Sequence, residues 1–334
     1  MINMINKKIL LLALALVGLA SAPQHGYAEP LPGQNWPTRP VKFIAPFAVG
    51  GTSDTLGRLA AEHLREKLHQ QFFLENRVGA GGMIGSHEVA VAEPDGYTFV
   101  ISGIASHVIA PAFSRNPPYD GLRDFTHVAY LGGPPVVLVV HPSLGARTFK
   151  DFLDLARRTP EGLNYVSSGV GTHGFLFAED MARREHFKLI HVPYKGSNPA
   201  VLDLIAGHVK IGAMAWSSAV EQIRAGNVQP LGVSSQNRLA GFPDVPTFRE
   251  LGYPDLVAAT WFSLSGPARL PSEISHRLNA AVVEVMQEPD VQKQLAQDGI
   301  ESKSLSPEDF TKFVESETAR WAPVAKAIGP LDNN

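Results

Sequence analysis

The stretch Val41-Lys42-Phe43-Ile44-Ala45-Pro46-Phe47-Ala48-Val49-Gly50-Gly51-Thr52-Ser53-Asp54 decides the fold. Its first half, Val41 to Phe47, is a short apolar run bounded by turn residues and reads as a buried strand. Beyond the glycines, Leu56, Leu59, Ala60, His63, Leu64 and Leu68 recur at helical spacing. A strand that passes through a glycine turn into a helix is the building unit of an α/β chain. The turn also carries chemistry. Glycine lets the backbone approach a ligand closely, and the unpaired amides and dipole of the following helix favour negative charge. Thr52 and Ser53 add hydroxyls able to cap the helix or bond the ligand.

The unit recurs at Ser167-Ser168-Gly169-Val170-Gly171-Thr172-His173-Gly174. Here a strand at Leu163 to Ser167 leads to a helix from about Phe175 to Arg184. Gly169, Gly171 and Gly174 satisfy the G-x-G-x-x-G dinucleotide pattern, but such a site also needs an acidic residue about 20 positions on to hold the ribose. That region reads Leu189-Ile190-His191-Val192-Pro193-Tyr194, without a carboxylate. Two anion cradles are therefore the favoured reading, and ordinary capped turns the alternative.

Around these loops, strands are expected at Phe72–Glu75, Tyr97–Ser102, Val136–Val140, Leu189–Val192, Val209–Ala215, Val228–Ser234 and Leu256–Ser265. Helices are expected at Ser86–Ala92, from Thr148 to Arg158, at Pro199–Ala206 and at Ser218–Ala225, with three more at the C-terminal end. The last is well marked by Ser306 as N-cap and Pro307 at the first helical position. Strands alternating with helices predict mostly parallel sheets covered on both faces, and their number suits two sheets better than one.

At the N-terminus, Lys7 and Lys8 precede the apolar run Ile9 to Val17, and Gly26 and Ala28 stand before Glu29. This is the layout of a cleavable signal peptide over 1–28, too short in its apolar part for a membrane span, followed by a polar linker over 29–39. With no cysteine in the chain, a lipid anchor at the cleavage site, disulfides and thiolate metal sites are excluded. The expected mature form is soluble, periplasmic and monomeric. His87-Glu88 is no zinc motif, because the position four beyond His87 is Val91. Net charge is −3 with both signs interspersed, so nucleic acid is not an expected partner. Neither Ser167 nor Ser168 has glycine two positions before it, as a nucleophile elbow requires. His107, His173 and His191 have no evident nucleophile partner, and each reads first as a packing or helix-end residue.

Taken in order, these segments resemble the Bug family, the extracytoplasmic substrate-binding proteins of tripartite tricarboxylate transporters. The markers are Ala45-Pro46-Phe47 with Gly50 to Asp54, Glu75-Asn76-Arg77 with Gly79 to Gly82, and Pro94-Asp95-Gly96-Tyr97-Thr98. Pro118-Tyr119-Asp120, Asp124-Phe125, Tyr165 with Ser167 to Gly169, His191 to Gly196 and Phe242 to Thr247 follow. The resemblance implies a type II periplasmic-binding-protein-like α/β fold: two lobes joined by crossing strands, with the ligand cleft between them. Lobe I is expected over 40–137 plus 256–330 and lobe II over 138–255.

The resemblance also implies capture of a small carboxylate by hinge closure, without catalysis or cofactor, and delivery to membrane permease subunits. Ligand sensing with a sensor kinase is the alternative, and an exported α/β hydrolase a remote one. Carried over by position, the ligand contacts are Phe47, Gly50, Gly51, Thr52, Ser53, Asp54, Gly169, Val170, Gly171 and Thr172. Asp54 cannot pair an anion directly and is assigned to helix capping or water orientation. The chain departs from the family at Phe175, where histidine is usual, and in the apolar run Ile211 to Trp216. Those departures suggest a ligand with an apolar or aromatic body, packed by Trp216 or Met214; the alternative is that both are core.

Overall fold

The structure, a computed structural model, describes residues 35–329. The expected signal peptide and most of the linker lie outside these residues. In chain order the first half holds β1 (Val41–Ala45), α1 (Thr52–Leu68), β2 (Phe72–Asn76), α2 (Met83–Ala90) and β3 (Thr98–Gly103). A π turn (Ala105–Ile109) then runs into α3 (Ala110–Phe113), and β4 (Phe125–Gly132) follows. The second half holds β5 (Val136–Val140), α4 (Phe149–Arg157), β6 (Leu163–Val166), α5 (His173–Arg184), β7 (Leu189–Val192) and α6 (Ser197–Ile205). It continues with β8 (Ile211–Ala215), α7 (Trp216–Arg224) and β9 (Gln229–Val233). The chain returns as β10 (Phe262–Pro267) and ends in α8 (Ser272–Met286), α9 (Pro289–Gln297) and α10 (Pro307–Ile328).

Two five-stranded sheets result, ordered β2-β1-β3-β10-β4 and β7-β6-β8-β5-β9. Each is the centre of one α/β lobe. The lobes are joined where residues 133–135 pass from β4 to β5 and residues 234–261 pass from β9 to β10. In the return segment, Ala258 N donates to Ser234 O at 2.9 Å and Thr260 N to Pro134 O at 2.7 Å. The two crossings therefore lie side by side, which is why the strand expected over Leu256–Ser265 enters a sheet only at Phe262.

The sheets are less parallel than the alternation of elements predicts. In the first, β1 pairs parallel with β2 and β3, whereas β10 runs antiparallel to β3 and β4. In the second, β6 pairs parallel with β7 and β8, whereas β5 runs antiparallel to β8 and β9. A parallel neighbour needs a crossover helix on its own sheet. β10 and β5 arrive from the other lobe without one, so they run against their neighbours. β4 escapes sequence reading because Thr126 and His127 interrupt its apolar pattern, although His127 is buried.

Each lobe has its own core: Phe43, Leu64, Phe99, Leu264 and Val282 in lobe I, and Val139, Val201, Trp216, Val220 and Val233 in lobe II. A further cluster, with Ile104, Tyr130, Phe175, Trp261, Phe310 and Trp321, ties α10 and the return crossing to α5. Ser306 caps α10, its hydroxyl accepting from Asp309 N at 3.1 Å. No helix among the described residues is long and apolar enough to cross a membrane.

Candidate functional site

A crevice lies between the lobes. Phe47, Gly51, Thr52, Ser53 and the β3 exit, Gly103 to Ala105, line it from lobe I. Ser168, Thr172 to Gly174, Gly196, Ser197 and Ala215 line it from lobe II, Thr260 and Trp261 from the return crossing, and Phe262 from the start of β10. None of these side chains is Asp, Glu, Lys or Arg. What the cavity has instead is helix starts. Gly51, Thr172, Gly196 and Ala215 are the N-caps of α1, α5, α6 and α7, and all four line it. An N-terminus presents unpaired amides and about half a positive charge. A cavity without charged side chains, met by four helix starts, offers an anion backbone positive ends in place of cationic side chains. Phe47, Ile104, Trp261 and Phe262 supply its apolar wall.

The two glycine loops are held by different chemistry. In lobe I, Asp54 is buried beneath the loop. Its carboxylate accepts from Gly50 N at 3.0 Å, from Asn76 Nδ2 at 3.0 Å, and from Arg58 Nε and Nη2 at 3.0 and 2.9 Å. Burial works to raise the Asp54 carboxyl, but the bonds from Arg58, Gly50 and Asn76 outweigh it and hold the group below its ordinary range. Asn76 Nδ2 also donates to Phe47 O at 2.9 Å, tying the loop's first residue to the same anchor.

In lobe II the anchor is neutral. Gly169 N donates to Ser167 Oγ at 3.1 Å, and Ser167 Oγ lies 2.9 Å from His191 Nε2. Thr172 Oγ1 donates to Gly169 O at 2.7 Å and accepts from Phe175 N, so it caps α5. Burial lowers His191 to about 4, which keeps it neutral. The contact has the form of a nucleophile–base pair, but Ser167 is fully buried and does not line the cavity.

His173, on the cavity wall, is pushed down to about 3 by burial and, less, by the Arg320 charge. Its Nδ1 lies 3.0 Å from Thr260 Oγ1, and its Nε2 is buried without a partner. Ser53 Oγ, also buried, is likewise unpartnered. Behind the wall, Glu317 Oε2 accepts the indole N–H of both Trp261 and Trp321, at 3.0 and 3.2 Å.

Comparison with known proteins agrees with this arrangement. Residues 56–330 match the tripartite tricarboxylate transporter family receptor. The chain belongs to that family. Protein BugT of Bordetella pertussis is 34% identical over 318 residues, 95% of this chain and 97% of BugT. R. palustris Rpa4515, solved with adipate, superposes with a TM-score of 0.85 at 35% identity, covering 89% of this chain and all of that one. MatC (Rpa3494) from Rhodopseudomonas palustris, solved with bound malate, gives 0.83 at 30% identity, over 87% of this chain and all of that one. The receptor is a solute-binding protein with a periplasmic-binding-protein fold, and these neighbours hold carboxylates.

Not every residue expected at the receptor's ligand site reaches the cavity. Phe47, Gly51, Thr52, Ser53 and Thr172 line it. Gly50 and Gly169 shape the loops, their amides donating to Asp54 and Ser167, and Asp54 itself faces the loop's underside. Val170 and Gly171 line a smaller crevice along the same seam, opposite Ala80, Gly81 and Ala110.

Trp216 and Met214 take the position of the alternative reading, in the core. Both are 1% exposed in the lobe II core, and the Trp216 ring meets Phe242 edge-on at 4.7 Å. They stand where β8 passes into α7, and both belong to the same buried cluster as Ala219 and Val220 of that helix. Phe175 is also internal, between Phe113 and His191. Sequence reading missed the starts of α6 and α7, although Gly196-Ser197 is a third glycine turn after a strand and carries the same signal.

Proposed function

We propose that this protein captures a small carboxylate with an apolar body by closing its lobes over it, and hands it to the membrane permease of a tripartite transporter. One observation carries the reading: helix N-termini from both lobes converge on a cavity without charged side chains. An anion there gains charge-assisted amide bonds that no solvent-exposed loop offers. The apolar wall of Phe47, Ile104, Trp261 and Phe262 suits a hydrocarbon body. Both sides of the hinge contribute, so a ligand that touches both stabilises closure. The signal peptide read in the sequence supports a periplasmic location.

Titration calorimetry with adipate and malate, against the corresponding diamides, tests the proposal. The acids should bind at micromolar level, about −8 kcal/mol, and the diamides at least 100-fold more weakly. Ligand at about 100 times its dissociation constant should stabilise the fold by roughly 2.7 kcal/mol. Equal binding of acid and amide, or no shift with any small carboxylate, would overturn it.

A further inference from the structure

Two contacts at the mouth of the cleft involve lobe II residues that do not line the cavity. Asn198 Nδ2 donates to Val49 O at 3.0 Å, and Ser217 Oγ lies 2.7 Å from Thr52 Oγ1. Asn198 stands in the first turn of α6 and Ser217 in the first turn of α7, while Val49 and Thr52 flank the start of α1. The loop from Phe47 to Thr52 is thus clamped by two helix ends of the opposite lobe. The fit is close. Gly50 has φ +78°, and a Cβ there would stand 2.3 Å from Asn198 Nδ2; a Cβ on Gly196 would stand 2.7 Å from the Ala48 Cβ.

Closure has an electrostatic cost. It brings the positive end of α1 against those of α5, α6 and α7, which already share lobe II, and they repel until an anion enters. A ligand-independent attraction across the seam would offset that repulsion and leave the closed form within reach. We propose that Asn198 and Ser217 are an interlobe latch, which sets ligand affinity by stabilising the closed form without touching the ligand. The inference rests on the capture-by-closure reading. Apparent affinity scales with the fraction of protein in the competent form. One hydrogen bond at a half-wet seam shifts such an equilibrium about fivefold. Asn198→Ala and Ser217→Ala should therefore each weaken binding about fivefold, and the pair about 25-fold. The loss should fall on the dissociation rate, which reports how long the closed form lasts.

The test uses the mature chain, with calorimetry, stopped-flow Trp fluorescence and solution scattering, titrating adipate and malate into wild type, both single variants and the double variant. The latch predicts weaker binding, faster release and less compaction at equal ligand, with the ligand-free melting temperature unchanged. Wild type that binds and compacts alongside a double variant that does so equally well overturns the latch and leaves capture standing. A matching fall in ligand-free melting temperature shows an ordinary structural role and also overturns it. Wild type that binds neither acid brings down the capture reading and the latch with it.

Discussion

The two glycine loops face one cavity and offer it the same thing, backbone amides at a helix start, yet they are organised by opposite kinds of anchor. Loop 47–54 is strung on a buried carboxylate, Asp54, with Arg58 and Asn76 around it. Loop 167–174 is strung on a hydroxyl and a neutral imidazole, Ser167 and His191. The proposed anion-binding surface is therefore a backbone property that different side chains can scaffold. The scaffolds differ in what breaks them, and above all in the pH at which they break.

The largest expected effect is a reference outside both loops. Trp216→Ala should cost about 4 kcal/mol of stability by opening a void in the lobe II core, while adipate affinity of the folded protein changes less than about threefold. Chemical denaturation and calorimetry check it, and an affinity loss above about tenfold would return Trp216 to the ligand site. Next, Asp54→Ala should cost about 3 kcal/mol and most of the binding, because it leaves the Gly50 amide, Asn76 and Arg58 without their acceptor. Asp54→Asn, which keeps one acceptor, should cost less in the same denaturation experiment.

Acid separates the loops. His191 titrates lower folded, at about 4, than its ordinary 6.5, so the unfolded chain binds protons first and stability falls as pH drops from 6.5 towards 4. His127 and His173, lowered by burial to about 4 and about 3, and His107, also lowered by burial, add slopes of the same sign. Each such histidine contributes at most about 1.4 kcal/mol per pH unit. Asp54 is held below its usual 3.8, so its contribution is fully present above 3.8 and is lost only as pH falls further, through the folded value. His191→Gln should flatten the curve between pH 6.5 and 4, and Asp54→Asn should flatten it only below that window. Thermal melts across pH 3 to 7 check both.

The smallest effect on stability is expected at Ser53→Ala. The buried Ser53 Oγ has no partner, so removing it should leave the free protein as stable or slightly more so, while carboxylate affinity falls about fivefold. Titration calorimetry with adipate would show it.

Much of the fold was legible because its signals are local. Val41 to Phe47, Leu163 to Ser167 and the helices after them follow from apolar periodicity, and Thr148 and Ser306 mark helix starts by capping chemistry that involves neighbours three residues away. The crossing strands were less legible. The direction of β10 and β5 depends on which lobe they come from, and no residue within either strand records that. His127 hid β4 because a buried histidine looks like a surface one until its surroundings are known.

By itself the sequence determined that strands would pass through glycine turns into helices, and that two such turns would expose backbone amides suited to an anion. Backbone geometry at glycine and unpaired amides at a helix start are properties of a few adjacent residues. Only the tertiary structure decided that the starts of α6 and α7 join those of α1 and α5 around one cavity, that Trp216 turns into the lobe II core, and that Asn198 reaches Val49 across the seam. The burial of Trp216 depends on long-range packing within lobe II, and the other two outcomes on which surfaces the lobes bring together.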